Sequence, residues 1–201
     1  MIKLNMYKKI YNTIISRRTI RKFQQKPIKL PVLKRMINAG RLAPAAANIQ
    51  PLEYVVVTED DLREKIFSNV RWAAYIAPEG NPQENEKPAA YIIILVNKEI
   101  CLKLHYRYDI GASAQNITLT AMEEGIGCCW IGSFDRKEIR HILKVPKEYI
   151  VDLVLALGYP LENPQYYDIE KGKSIKYNKD ASGVLHVPKR KLDDIIHINT
   201  F

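Results

Sequence analysis

Apolar residues at Tyr7, Ile10, Tyr11, Ile14 and Ile15 recur at helical spacing and predict an amphipathic first helix ending near Ser16. A basic loop, RRTIRKF, follows. Pro31 suits the first helical position, and Leu33, Met36 and Ile37 give a second helix one apolar face until Pro44 stops it. Beyond lies APAAANIQP, a run of small residues and turn formers. Glu53 to Thr58 reads as a strand, and Thr58 with Asp61 three residues on predicts a capping box opening a short helix through Phe67.

Proline, glycine and asparagine between Ala77 and Pro88 predict a mobile surface loop. Tyr91 to Val96 is continuous and β-branched, the pattern of a strand buried on both faces at the centre of a sheet. Ile110, Ala114, Ile117 and Ala121 place a buried helix over Asp109 to Glu124, with Asp109 as its cap and Gly125 and Gly127 ending it. Cys128 to Ile131 is then a short strand, Arg136 to Leu143 a helix stopped before Pro146, and Ile150 to Leu157 another apolar strand. From Tyr159 to Phe201 the chain is polar and weakly periodic. Such a tail has little apolar surface to offset its ordering entropy and suits wrapping around a partner subunit.

A chain of 201 residues, 47% hydrophobic, fits one domain better than two small ones. We read residues 1–201 as that domain, with 160–201 as an extended tail. The apolar stretch Ala89 to Val96 is too short to span a bilayer, no signal-peptide pattern is seen, and Cys101, Cys128 and Cys129 are odd in number. A soluble protein of the cytoplasm is expected. Alternation places Cys128 and Trp130 on one strand face and Cys129 on the other, all as core. Asp60 and Asp61 complement a helix dipole.

The net charge of +9 raises the question of a polyanionic partner. Basic residues gather at Arg17 to Lys22 and Lys189 to Lys191, and a fold that joins these segments would make a compact anion pocket. No nucleic-acid reading motif accompanies the charge, so a basic non-catalytic polyanion-binding module is the weaker alternative. No G-x-G-x-x-G follows a strand, and Tyr167 replaces the glycine that Gly172, Lys173 and Ser174 would need in a Walker A loop. His105, His141, His186 and His197 are scattered, and no H-E-x-x-H, C-x-x-C or G-x-S-x-G is present, so neither a metal site nor a serine nucleophile is expected. Chemistry carried by an organic cofactor is the remaining direction. Arg17, Arg18, Thr19 and Arg21 offer guanidinium forks and a hydroxyl suited to phosphate oxygens. In APAAANIQP, small side chains admit a flat ring while Asn48 and Gln50 offer amides to its polar edge.

SRRTIRKF, a proline-led helix and RLAPAAANIQPLEYVVV, in this order and spacing, resemble the N-terminal signature of the FMN-dependent nitroreductase family. DIGASAQNITLTAMEEGIGCCWIGSF and the closing KRKLDDIIH are similar to its central helix with following strand and to its C-terminal phosphate-contacting segment. The resemblance implies an α+β, three-layer fold: a central, mostly antiparallel sheet flanked by helices, and a C-terminal tail wrapping the partner of a homodimer. It further implies that Arg17, Arg18, Thr19 and Arg21, joined by Lys189 or Arg190, hold the phosphate and ribityl chain of FMN. Pro44, Ala45, Ala46 and Asn48 would border the isoalloxazine ring from the neighbouring subunit, and Gly132 and Ser133 would set backbone groups beside its reactive edge. Where the family's loop usually carries Ser and Gly, this chain has Ala45 and Ala47.

The implied activity is ping-pong transfer of hydride from NADH or NADPH, through the flavin, to a small oxidised acceptor such as a nitroaromatic or a quinone. No side chain is required as acid or base, so no catalytic residue is expected. Relatives of this fold that dehalogenate, fragment flavin or dehydrogenate define the closer alternatives. Nucleic acid, membrane and metal are not expected partners.

Overall fold

The computed structural model describes residues 10–102 and 105–201. Among these, the first helix, α1, covers residues 10–16 and ends where expected, while Tyr7 lies outside the described residues. The remaining helices are α2 (Leu30–Arg41), α3 (Asp60–Ser68), α4 (Tyr106–Glu123) and α5 (Arg136–Ile142). Strands β1 (Leu52–Val57), β2 (Ala90–Asn97), β3 (Gly127–Ile131) and β4 (Tyr149–Gly158) make one antiparallel sheet in the order β1-β2-β4-β3.

The β-branched run is the reason for three layers. Along β2, Ile92, Ile94 and Val96 point toward α2 and α4, and Tyr91, Ile93 and Leu95 toward α3 and α5, all essentially without solvent contact. Each such side chain contributes roughly 1.5–3 kcal/mol, so covering both faces is favoured over exposing either. Pro31 lies in the first turn of α2, and Leu33, Met36 and Gly40 are buried. Gly40 admits α4 closely, since a Cβ there would stand 2.7 Å from Ile117 Cγ1. The strand β3 divides its cysteines as alternation requires, Cys128 joining the core beneath α4 and Cys129 the opposite one.

Four local expectations are corrected. The N-cap of α3 is Glu59, with no side-chain capping bond, so Thr58 and Asp61 form no capping box; Asp60 and Asp61 instead sit in the first turn and favour the dipole. Asp109 does not cap α4, whose N-cap is His105. Gly125, at φ 70°, follows the helix, whereas Gly127 opens β3. The 77–88 segment, read as a mobile loop, is fastened by contacts: Gln83 N–H donates to Glu86 Oε2, Glu86 pairs with Lys22 at 2.7 Å, and Phe23 N–H donates to Glu86 O, the last two across more than sixty positions.

The polar tail folds back in part. Strands β5 (Gln165–Ile169), β6 (Asn178–Lys179) and β7 (Leu185–Arg190) form a second sheet, with β5 and β7 parallel and β6 antiparallel to β7. It escapes the pattern because most of its residues remain exposed, only Ile169, Leu185 and Pro188 being buried in these strands. Among the described residues, no helix is long and apolar enough to cross a membrane.

Candidate functional site

The arginine segment leaves α1 with Arg17 N–H still bonded to Thr13 O and then lies extended along the free edge of β3. Thr19 bridges Cys128 in parallel, Ile20 N–H donates to Cys128 O at 3.1 Å, and Phe23 bridges Pro160. Two glycines paired across the sheet, Gly127 and Gly158, make room for this crossing. A Cβ on Gly127 would fall 2.7 Å from Ile20 Cβ, and one on Gly158 the same distance from Phe23 Cβ. Sequence reasoning missed this role for both, because it arises from a segment more than a hundred residues away.

Arg17, Arg18, Thr19 and Arg21 are half-buried. Arg18 stacks on the Tyr166 ring at 4.3 Å, and its Nη1 donates to Ile15 O and Arg17 O, but its Nε is buried with no partner. Burial and the neighbouring Arg17 charge push the Arg18 pKa downward. A cation held against desolvation and against a like charge is stabilised by an anion. Arg21 lies over Tyr177 at 5.1 Å, while its N–H donates to Glu162 Oε1 at 2.5 Å and fixes the backbone there. Arg17 and Arg18 line a cavity of about 390 Å³ with Thr118, Cys128, Glu162 and Asn163, whereas the Arg21 side chain turns to Tyr177 and Cys129 on the other face of β3.

The C-terminal basic segment reaches this neighbourhood through Tyr166. On β5 that residue is in register with Val187 of β7, and Lys189 is two positions further on the same strand face. Arg190 alternates to the other face. Lys191 is ion-paired with Glu170, which raises its pKa, so its charge is already engaged. Among the described residues, no hydrogen bond or ion pair joins Lys189 or Arg190 directly to the arginine segment.

Gly132 and Ser133 follow β3. Their carbonyls accept from Arg136 Nη2 and from Arg71 N–H, but among the described residues neither of their own N–H groups has an acceptor. A Cβ on Gly132 would meet nothing within 4 Å, so a flat group can approach this backbone.

The small-residue loop lies elsewhere. Ala46–Asn48 forms a 3₁₀ turn in which Ala47 and Asn48 have φ of 49° and 54°, and Gln50 follows at 54°. Ala47 thus adopts the left-handed backbone that glycine tolerates best. Pro44 and Ala45 line a separate cavity of about 140 Å³ with Arg41, Gln50, Tyr54, Asp109 and Ser113. Asp109 is at the start of α4 and Thr118 beside the arginine cavity, nine residues or roughly 14 Å apart along the helix. The loop and the arginine segment therefore face different ends of α4.

The cysteines on β3 are structural. Burial pushes the Cys128 thiol up to about 12 and the Cys129 thiol up to about 11. Thr118 Oγ1 donates to Ala114 O and accepts from Trp130 Nε1, both at 2.7 Å, which fixes the half-exposed indole. In the native protein near neutral pH, a thiol reagent should label the partly exposed Cys101 and spare Cys128 and Cys129 until denaturant is added; fast native labelling of more than one thiol would contradict the burial. The Asp109 carboxylate turns to the loop and accepts Ala46 N–H at 2.9 Å.

The geometry agrees with known proteins. The family model described as the nitroreductase family matches residues 14–103 and 105–159. A provisionally named NADH dehydrogenase/NAD(P)H nitroreductase of Methanothermobacter thermautotrophicus is 29% identical over 164 residues, covering 80% of this chain and 82% of that protein. An FMN-dependent nitroreductase of Clostridium difficile superposes with a TM-score of 0.66 at 25% identity over 94% of this chain and 98% of its own. A provisionally named nitroreductase of Desulfovibrio desulfuricans, solved in complex with FMN, gives 0.68 at 19% identity, with 96% and 97% covered. Since the family model spans well over half of the residues, from the end of α1 through β4, the chain belongs to the nitroreductase family.

Proposed function

We propose that this chain is an FMN-dependent oxidoreductase that takes hydride from NADH or NADPH and passes it, by ping-pong exchange, to a small oxidised acceptor such as a nitroaromatic or a quinone. The observation that carries the reading is the arginine segment pinned along β3, with the buried Arg18 Nε lacking a partner beside a cavity large enough for part of a ligand. These residues fit a phosphate. Arg17, Arg18, Thr19 and Arg21 would hold the phosphate and ribityl chain, and of the C-terminal candidates Lys189, on the Tyr166 face, is better placed than Arg190. The names of the relatives, which include NAD(P)H nitroreductase and FMN-dependent nitroreductase, support the same chemistry.

FMN, when bound, supplies the site that accepts and then gives up the hydride. The protein's part is binding, orientation and charge. The unpaired N–H groups of Gly132 and Ser133 would donate to the reactive edge of the ring, and the arginines would stabilise the negative charge that builds up on reduction. Pro44, Ala45, Ala46 and Asn48 lie at the other end of α4 from the arginine cavity, an arrangement compatible with a site completed by a second copy, in which they would border the ring. Exposed Ile10, Tyr11, Ile14 and Ile15 on α1, and Ile195, Ile196, Ile198 and Phe201 at the chain end, offer apolar surface for such a homodimer and for a tail that wraps the partner. Free thiols suit a reducing compartment such as the cytoplasm.

Freshly purified protein should be yellow, and NADH or NADPH should bleach it without air until an acceptor restores the colour. A colourless protein that takes up no added FMN would rule the proposal out. Assays with a quinone, a nitroaromatic and an enone identify the acceptor class.

A further inference from the structure

The Ala46–Asn48 turn begins with a difficulty that its own sequence does not solve. Helical turns leave their first N–H groups unpaired, and the residue before this one, Ala45, has no side-chain acceptor to offer. Three residues without the freedom of glycine, Ala47, Asn48 and Gln50, are nevertheless held at positive φ. Such backbone persists only where the surroundings over-determine it. The missing acceptor comes from α4: Asp109 Oδ1 takes the Ala46 N–H at 2.9 Å, across 63 positions of sequence. Asp109 is only 5% exposed and sits at the start of its helix, where the helix dipole favours a carboxylate. Beside it, Tyr54 Oη and Ser113 Oγ are bonded to each other at 2.8 Å, and Gln50 Nε2 donates to Asn48 O, so among the described residues Asp109 is the side chain that accepts from the turn.

We propose that Asp109 is a positioning residue: its buried carboxylate caps the Ala46–Asn48 turn from α4 and holds the small-residue loop in the shape with which it borders the flavin of the neighbouring subunit. This role rests on the function proposed above. It assigns Asp109 no contact with flavin or substrate. Its effect passes through the backbone of Ala46, and α4, packed into the core on its other side, is the rigid support.

The test compares wild type, D109A and D109N by titrating each apoprotein with FMN, following the quenching of flavin fluorescence and the visible circular dichroism of the bound ring. D109A removes the acceptor, and FMN binding should weaken by roughly ten- to a hundredfold with an altered ring spectrum. D109N keeps an oxygen at the same place and should recover most of the affinity and the wild-type spectrum. Ala47→Gly in the D109A background should restore part of the loss by removing the left-handed penalty. D109A with wild-type affinity and spectrum, or D109N as impaired as D109A, overturns the proposal while leaving the flavin reading intact. A wild-type protein that binds no FMN overturns both. If D109A does not fold, Ala46→Pro removes the N–H side of the same bond without touching α4 and must reproduce the loss; wild-type binding by that variant is equally decisive against the role.

Discussion

Replacing Arg17 and Arg21 together with alanine is expected to weaken FMN binding by roughly a hundred- to ten-thousandfold, since each charge-assisted contact to a phosphate contributes about 1.5–3 kcal/mol. Arg18 is left in place because it has a second task. Its guanidinium ties Ile15 O and Arg17 O together and stacks on Tyr166, so its removal would disturb the path of the segment as well as its charge. Arg17 and Arg21 separate these effects better. The loss on folding is confined mainly to the half-buried Arg21, whose side chain lies over Tyr177 and bonds Cys129, together worth about 1 kcal/mol. The urea midpoint of the apoprotein should therefore shift little, while FMN affinity falls and loses much of its salt dependence. Flavin retained at wild-type affinity would show that these two arginines do not carry the phosphate.

Gly158→Ala should have the largest effect on stability, destabilising the fold by about 1–3 kcal/mol and lowering FMN affinity along with it. The added Cβ would stand 2.7 Å from Phe23 Cβ and 2.8 Å from its Cγ, atoms close to the backbone that cannot swing aside. Phe23 is fully buried, so relief must come from lifting the segment that bears Arg17 to Arg21 off β3 and β4. The coupling of stability to binding is the specific expectation. Gly111→Ala is the control, because a Cβ there meets nothing within 4 Å and alanine is the better helix former by about 1 kcal/mol. Denaturant titration of the two variants, with FMN titration alongside, measures both outcomes. A Gly158→Ala protein as stable as wild type, with unchanged flavin affinity, would mean that the segment is not seated on the sheet as described.

The candidate site was legible in residue type more than in arrangement. Arg17, Arg18, Thr19 and Arg21 stand out because charge and spacing are local properties, and Ala47 could be recognised as a costly substitute for glycine before its φ of 49° was known. Lys189, Arg190 and Lys191 could not be ranked from their order alone. Strand register puts Lys189 and Arg190 on opposite faces and Glu170 pairs with Lys191, and both facts depend on residues some twenty positions away. Asp109 looked like a helix cap because an acid near a helix start usually is one. Its partner, Ala46, lies in another element, and the bond exists only because α2 delivers the loop over the start of α4.

By itself, then, the sequence determined α2 and α4 from apolar positions at helical spacing, β2 and β4 from unbroken apolar runs, and the place of β2, buried on both faces, at the centre of a sheet. It also determined which residue types were available to meet an anion and a flat ring. Tertiary structure alone decided that Gly127 and Gly158 seat the arginine segment, that Asp109 accepts the Ala46 N–H, that a mostly exposed tail makes the sheet β5-β7-β6, and that loop and arginines lie at different ends of α4. The physical reason is the range of the forces involved. Helical spacing and unbroken apolar runs are written in residues a few positions apart, whereas close approach, a distant hydrogen bond and an exposed strand pairing take their energy from residues that only folding brings together.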